Sequence, residues 1–295
     1  MVLRRVRGTA AVIMSEGQDE EVELLHPVLF HLGSLDIYSF GLMLSLAFAS
    51  AAAVAFFNAK RHGIDPWLVV DMCLYLYLAG LVGSRLVFVL LNWHEYAAAP
   101  ITILYTWEGG VSFYGAIMGG FVAVLFLTRR RRLSFGRVAD TFAPALALAA
   151  GIGRLGCALN GCCYGVPTDG AWGVFTRFAP GLRHPTQLYE SFAYFTAFVF
   201  LLWWQKRRAK APGQVFVAFV LAYIVGRFVI EFFRDGERLY AWLSLTQAAS
   251  LVIAVVAIGA YRYLGRRAEA APALAPGPSG QTAAPNETAA GKTDA

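Results

Sequence analysis

Seven separate stretches of this chain are each long and apolar enough to form a helix across a hydrocarbon core, which takes about 17–25 residues. They are residues 36–57, 67–92, 111–128, 138–156, 187–204, 215–233 and 243–261. Lipid offers no hydrogen-bond partner, so a backbone that crosses it at these lengths must close its own bonds, and only a helix does so. The expected fold is therefore an all-α polytopic membrane protein with seven transmembrane helices. Composition agrees. Of all residues 58% are hydrophobic and 15% charged, whereas a soluble domain is about 25% charged. The formal net charge of +6 comes from short basic clusters between apolar runs. No basic face on a polar domain is present, so no nucleic-acid partner is expected.

The same clusters set topology. Lys60 and Arg61 follow the first stretch, and Arg129 to Arg132 with Arg137 follow the third. Lys206, Arg207, Arg208 and Lys210 follow the fifth, and Arg262, Arg266 and Arg267 the seventh. The intervening loops carry fewer cations, among them Arg177, Arg183, Arg234 and Arg238. Excess Lys and Arg marks the cytoplasmic side, which predicts an outside N-terminus and a cytoplasmic C-terminus. Arg4, Arg5 and Arg7 run against this pattern. Translation from Met14 would leave an acidic tail that crosses easily, and the intact mass of the purified protein tests that start. The expected division is an N-terminal tail over 1–25, a membrane body over 26–267, and a disordered tail over 268–295 rich in Ala, Pro, Gly, Thr and Ser.

Ionisable residues inside such stretches are costly and mark sites by default. Arg85 lies in the second, Arg154 at the outer end of the fourth and Glu190 near the outer end of the fifth. Arg227 and Glu231 stand one helical turn apart in the sixth. An intrahelical ion pair accounts for Arg227 with Glu231 alone. It does not account for Arg154 and Glu190 gathering at the same depth, which a polar cavity that opens outward and takes an anionic headgroup would explain. Arginine suits phosphate because its planar fork forms bidentate hydrogen bonds and stays charged. Asp71 and Asp140 read as helix-start charges or partners of cytoplasmic arginines. In GGVSFYGAIMGG (109–120), Tyr114 opens the third stretch, and Gly115 and Gly119 form a small-residue face for close helix approach. In HPTQLYE (184–190), His184, Gln187, Tyr189 and Glu190 cluster at the outer start of the fifth stretch. His184 is an interfacial hydrogen-bonding residue or a proton carrier.

In order along the chain, GGVSFYG, GRLGCALNGCCYG (153–165), RHPTQLYE and GRFVIEFFR (226–234) resemble the phosphatidylglycerol–prolipoprotein diacylglyceryl transferase family. FGLM (40–43) and GSRLVFVLLNW (83–93) fit as well, so the resemblance runs from about residue 26 to 262. It implies seven transmembrane helices with the topology above. It also implies a bacterial plasma (inner) membrane location, with the active site toward the outer leaflet. The implied reaction moves diacylglycerol from phosphatidylglycerol to the thiol of the lipobox cysteine in an exported prolipoprotein signal peptide. A thioether forms and glycerol phosphate leaves, with no cofactor and no metal. The implied phosphate-binding pair is Arg154 and Arg227. Asn160, Gly165, Tyr223, Glu231 and the segment containing Gln187, Tyr189 and Glu190 match the family's motif positions. Tyr114 and His184 join the candidate catalytic groups, and Arg85 the candidate substrate-binding ones. Alternatives are a related lipid transferase with a different acceptor, and a seven-helix transporter or lipid-binding protein without catalysis.

This sequence departs from the family's pattern at three motif positions. Tyr114 stands where better-studied members carry histidine, and Cys157 and Cys162 where they carry asparagine and glutamate. The outer insertion before HPTQ is shorter too. With an unperturbed pKa of about 10, a tyrosine is a poorer base than histidine at neutral pH. Of the four cysteines, Cys73 lies in an apolar run and reads as a packing residue. Cys157 and Cys162 face the compartment in which disulfides persist. A structural bridge between them, packing thiols and a covalent relay thiol are all open, while the spacing does not fit a zinc site.

Overall fold

The computed structural model describes residues 27–270 apart from 33–34, 98, 106–108, 177, 235–237 and 241–242. The N-terminal tail over 1–25, the start at Met14, and residues 271–295 of the C-terminal tail lie outside the described residues. A hairpin of β1 (Val28–Leu32) and β2 (Leu35–Tyr38) leads into α1 (Ser39–Ala59). There follow α2 (Pro66–Leu91), the short α3 (Trp93–Ala97), α4 (Phe113–Arg130) and α5 (Phe135–Asn160). A second hairpin, β3 (Val174–Thr176) with β4 (Ala179–Arg183), precedes α6 (Thr186–Arg207) and α7 (Gln214–Ile230). A third, β5 (Arg238–Tyr240) with β6 (Leu243–Ser244), precedes α8 (Leu245–Ala270). All three hairpins are antiparallel and two-stranded.

The long helices fall on the apolar stretches, with ends moved by a few residues. Six of them, α1, α2, α4, α5, α7 and α8, have the length and hydropathy to cross a membrane. Large apolar side chains such as Phe57, Val82, Leu91, Val225 and Val255 point away from the protein along their flanks. The chain is thus a mostly helical integral membrane protein. α6 has 22 residues, about 33 Å at ~1.5 Å per residue. Gln187, Glu190, Gln205, Lys206 and Arg207 dilute its apolar content. Its buried positions, including Gln187, Glu190, Ser191, Tyr194, Ala197 and Leu201, recur at helical spacing, so its polar face is turned inward. Residues 268–270, expected to begin the tail, continue α8.

α5 is the central post and packs on α1, α6 and α7. Ala143, Ala145, Ala147 and Gly151 along it are buried, and small residues let helices approach closely. A Cβ on Gly151 would come 2.8 Å from the Phe195 ring. Pro144 lies inside α5, so the Asp140 carbonyl loses its usual donor four residues on. The Asn58 side chain of α1 donates instead, at 3.5 Å to the Asp140 carbonyl and 3.1 Å to that of Thr141. α2 and α4 meet as the glycine pattern predicts: a Cβ on Gly83 would lie 2.9 Å from the Gly119 Cα.

The two ends of the bundle differ. At one, short turns join α1 to α2, α4 to α5 and α6 to α7. The Lys210–Glu269 ion pair at 3.5 Å and the Asn58 bonds gather these ends together, and the basic clusters lie there. Asp140, buried at this end, takes the first of its two expected roles, a helix-start charge or a partner of cytoplasmic arginines. It lies against the start of α7, and among the described residues it forms no ion pair with an arginine. Its carboxylate accepts from the backbone N–H of Gly213 at 2.7 Å and of Phe216 at 2.8 Å. It caps the start of α7, where free N–H groups and the helix dipole favour a negative charge. The other end holds the β3–β4 hairpin and the long connection before α6.

Candidate active site

Three helix ends build the candidate site. The run GRLGCALN, whose first four residues close the fourth apolar stretch in sequence, is the last two turns of α5. Arg154, Cys157 and Asn160 follow one another at three-residue spacing along it, so they share a face. Gly161, at φ 75°, ends the helix in the left-handed conformation that glycine adopts without a Cβ clash. The chain then threads between α6 and α7. The Gly165 N–H donates to the His184 carbonyl at 2.9 Å, and the Val166 N–H to the Phe233 carbonyl at 2.9 Å. A Cβ at Gly165 would collide with the Phe233 carbonyl, Thr186 and His184, so glycine is required there. Thr186 Oγ1 donates to the Cys163 carbonyl at 2.9 Å, and Gln187 Nε2 to the Cys162 carbonyl at 2.7 Å. The first turn of α6 is thereby tied to the end of α5.

Glu190 is the hub, with its side chain 1% exposed. Arg154 pairs with it through Nε, Arg227 at 2.9 Å and Arg234 at 3.3 Å. Arg227 also reaches Glu231 at 3.0 Å, so the intrahelical pair exists and is one edge of a larger network. Ser244 Oγ donates to Glu231 at 3.1 Å. The three arginine side chains keep 25%, 18% and 22% of their surface exposed. Three guanidinium groups against two buried carboxylates leave a net positive charge. Each guanidinium carries five N–H donors, more than these carboxylates accept. The arrangement presents a cationic, donor-rich face to whatever anion enters.

Around this hub, the Tyr223 and Tyr194 rings stack with centroids 5.9 Å apart. His184 Nδ1 lies 3.2 Å from the Tyr189 hydroxyl, and its ring packs 5.2 Å from that of Phe233. The fold thus gathers Arg154, Arg227, Glu190, Glu231, Gln187, Gly165, His184 and Tyr189 on three adjoining helix ends, with Asn160 closing α5 and Tyr223 one turn before Arg227. Two candidates are not drawn in. Tyr114 is 75% exposed at the start of α4 and packs on its neighbour Phe113. Arg85 is buried, and its guanidinium donates to the backbone carbonyls of Thr102, Ile103, Tyr105, Gly109 and Gly110. Tyr96 packs on its face at 5.2 Å. Arg85 therefore organises the connection between α2 and α4.

The four cysteines are free thiols, so no bridge joins Cys157 to Cys162. The Sγ atoms of Cys157, Cys162 and Cys163 nevertheless lie within 4.8 Å of one another. Hydrogen bonds from Cys157 and Cys162 draw the Cys163 thiol below the ordinary range, helped by the positive charges of Arg154 and Arg234. Sequence reasoning did not place Arg234 in the site, although it closes the GRFVIEFFR motif three residues past Glu231. Nor did it find Ser244 and Gln247. Gln247 N–H donates to Ser244 Oγ at 3.1 Å, and Ser244 N–H to Gln247 Oε1 at 3.0 Å. This is a reciprocal cap whose signature, S-x-x-Q before an apolar run, is present in the sequence.

A family model described as prolipoprotein diacylglyceryl transferase matches residues 27–263. The chain is 35% identical over 240 residues to the phosphatidylglycerol–prolipoprotein diacylglyceryl transferase of Clostridium tetani, covering 79% of this chain and 96% of the relative. It is similarly 35% identical over 252 residues to the protein of that name from Bordetella bronchiseptica, covering 82% and 96%. The Thermosynechococcus vestitus protein of that name is 34% identical over 239 residues, covering 78% and 88%.

Proposed function

Because the chain belongs to the prolipoprotein diacylglyceryl transferase family, we propose that it transfers the diacylglyceryl group of phosphatidylglycerol to the lipobox cysteine thiol of exported prolipoproteins. The C–O bond between the diacylglyceryl carbon and phosphate breaks, and a C–S bond forms. The thiol proton passes to a base, and glycerol phosphate leaves. The observation that carries this reading is the convergence of Arg154, Arg227 and Arg234 on buried Glu190. Negative charge grows on the departing phosphate, and fixed guanidinium groups in a water-poor pocket stabilise that growth. In this reading Arg154 and Arg227 hold the phosphate, while Glu190 and Glu231 aim them. Asn160, Gln187 and Tyr189 line the headgroup side, and Gly165 lets the loop close behind it. Tyr223 lines the pocket beside Arg227. His184, oriented through Tyr189, takes the thiol proton.

All seven long helices span the membrane in this proposal, with the N-terminus outside and the C-terminus cytoplasmic. The basic clusters at the short-turn end support that orientation through the positive-inside rule. The site then faces the outer leaflet of a bacterial plasma membrane, where translocated precursors arrive. The deciding experiment supplies the full-length protein to a bacterium depleted of its own transferase, and follows thioether formation on a model precursor by mass spectrometry. A precursor heavier by one diacylglyceryl group is expected. A well-expressed, membrane-inserted protein that leaves the precursor unmodified would shift the reading to a different acceptor.

A further inference from the structure

We propose that Cys157, Cys162 and Cys163 form a three-thiolate site for one soft monovalent cation, Cu+. This inference is independent of the transferase reading. The three sulfurs are mutually within 4.8 Å, and all three residues are partly buried. Sulfurs arranged trigonally around a metal at ~2.3 Å lie about 4 Å apart, so small side-chain rotations close the site. The backbone is bent to bring them there. Cys157 projects from the last turn of α5, Gly161 stops the helix, and Cys163 turns the chain back with φ 63°. A non-glycine residue in that left-handed region is strained and is kept only where its surroundings hold it. Here Thr186 and Gln187 hold the Cys163 and Cys162 carbonyls.

The number and kind of donors select the ion. A disulfide would use two of the sulfurs and leave the third over, whereas a trigonal cation uses all three. Among the described residues no histidine or carboxylate joins the group. Thiolates suit both Zn2+ and Cu+, but Zn2+ would need a fourth ligand from outside the trio, whereas three thiolates satisfy a trigonal Cu+. Binding involves no oxidation: each thiol releases its proton to solvent as its sulfur takes the metal. The occupied trio carries net negative charge one helical turn from Arg154, so occupancy bears on the arginine cluster.

The test uses the full chain in detergent, reduced with a phosphine and titrated anaerobically with Cu+ against a chromophoric Cu+ chelator. The expected result is one Cu+ per chain, with a thiolate-to-copper charge-transfer band. Cys157→Ser, Cys162→Ser and Cys163→Ser should each weaken retention by about 100-fold or more, and Cys73→Ala should leave it unchanged. On the unaltered protein, bound Cu+ should also protect these three cysteines from maleimide, a readout that does not depend on any variant folding. Unprotected thiols, stoichiometry unchanged in the serine variants, or Zn2+ displacing Cu+ would overturn the proposal.

Discussion

Asp140 and Glu190 are both carboxylates buried between helices of one bundle, one at each end, and they are neutralised in different ways. Asp140 accepts from backbone N–H groups at the start of α7. Those donors cannot move without unwinding the helix, and the carboxylate acts as a rivet. Glu190 is met by guanidinium groups on α5, α7 and the segment after it. Those donors stand on long side chains and remain partly exposed, so an incoming anion can recruit them. Burial of a charge therefore does not by itself mark a functional site. What separates the two is whether the neutralising groups can be shared with a ligand.

The widest separation should come from the arginines. Arg154→Ala and Arg227→Ala are each expected to lower the transfer rate per folded molecule on the order of 100- to 1,000-fold, read by mass spectrometry of the precursor, and also to lower Tm because each leaves a buried carboxylate short of a partner. Glu190→Gln should follow, at about 100-fold, because misaligned guanidinium groups miss the phosphate. His184→Gln is the next step down, lowering the rate on the order of 10- to 100-fold, smaller than the usual range for general-base catalysis because solvent can share the role. Asp140→Asn should reverse the pattern. It weakens the α7 cap by about 1–3 kcal/mol, seen as a lower Tm in detergent, while the rate per folded molecule stays within about twofold. Arg85→Lys closes the series, since a lysine cannot reach all five loop carbonyls. A modest fall in Tm with less than about a tenfold loss of rate is expected. Equal losses of rate in Asp140→Asn and Glu190→Gln would erase the distinction drawn between the two carboxylates.

Much of this was readable from the sequence. Apolar length fixed the helices, because lipid leaves the backbone no other solution. The intramembrane charges Arg154, Glu190, Arg227 and Glu231 pointed to their own convergence, because each would be too costly alone. What escaped depends on tertiary contact. Asp140 lay close enough in sequence to Arg129 to Arg132 and Arg137 to suggest pairing, yet its partners are main-chain groups more than 70 residues away. The three sulfurs meet only because Cys163 adopts a backbone conformation no sequence rule predicts for cysteine. Arg85 looked like a site residue since composition cannot tell a ligand phosphate from a ring of loop carbonyls. α6 lies below the hydropathy of its neighbours because its first turns are devoted to Gln187 and Glu190.

The Asn58 amide that serves the carbonyls of Asp140 and Thr141 has a consequence for biogenesis. A span containing Pro144 enters the bilayer with a vacant acceptor that lipid cannot fill. Only when α1 lies alongside is that acceptor supplied. α1 precedes α5 in the chain, with α2 and α4 between them. The earlier helix must therefore remain available until the post around which the bundle closes has arrived, and their docking completes the backbone of α5.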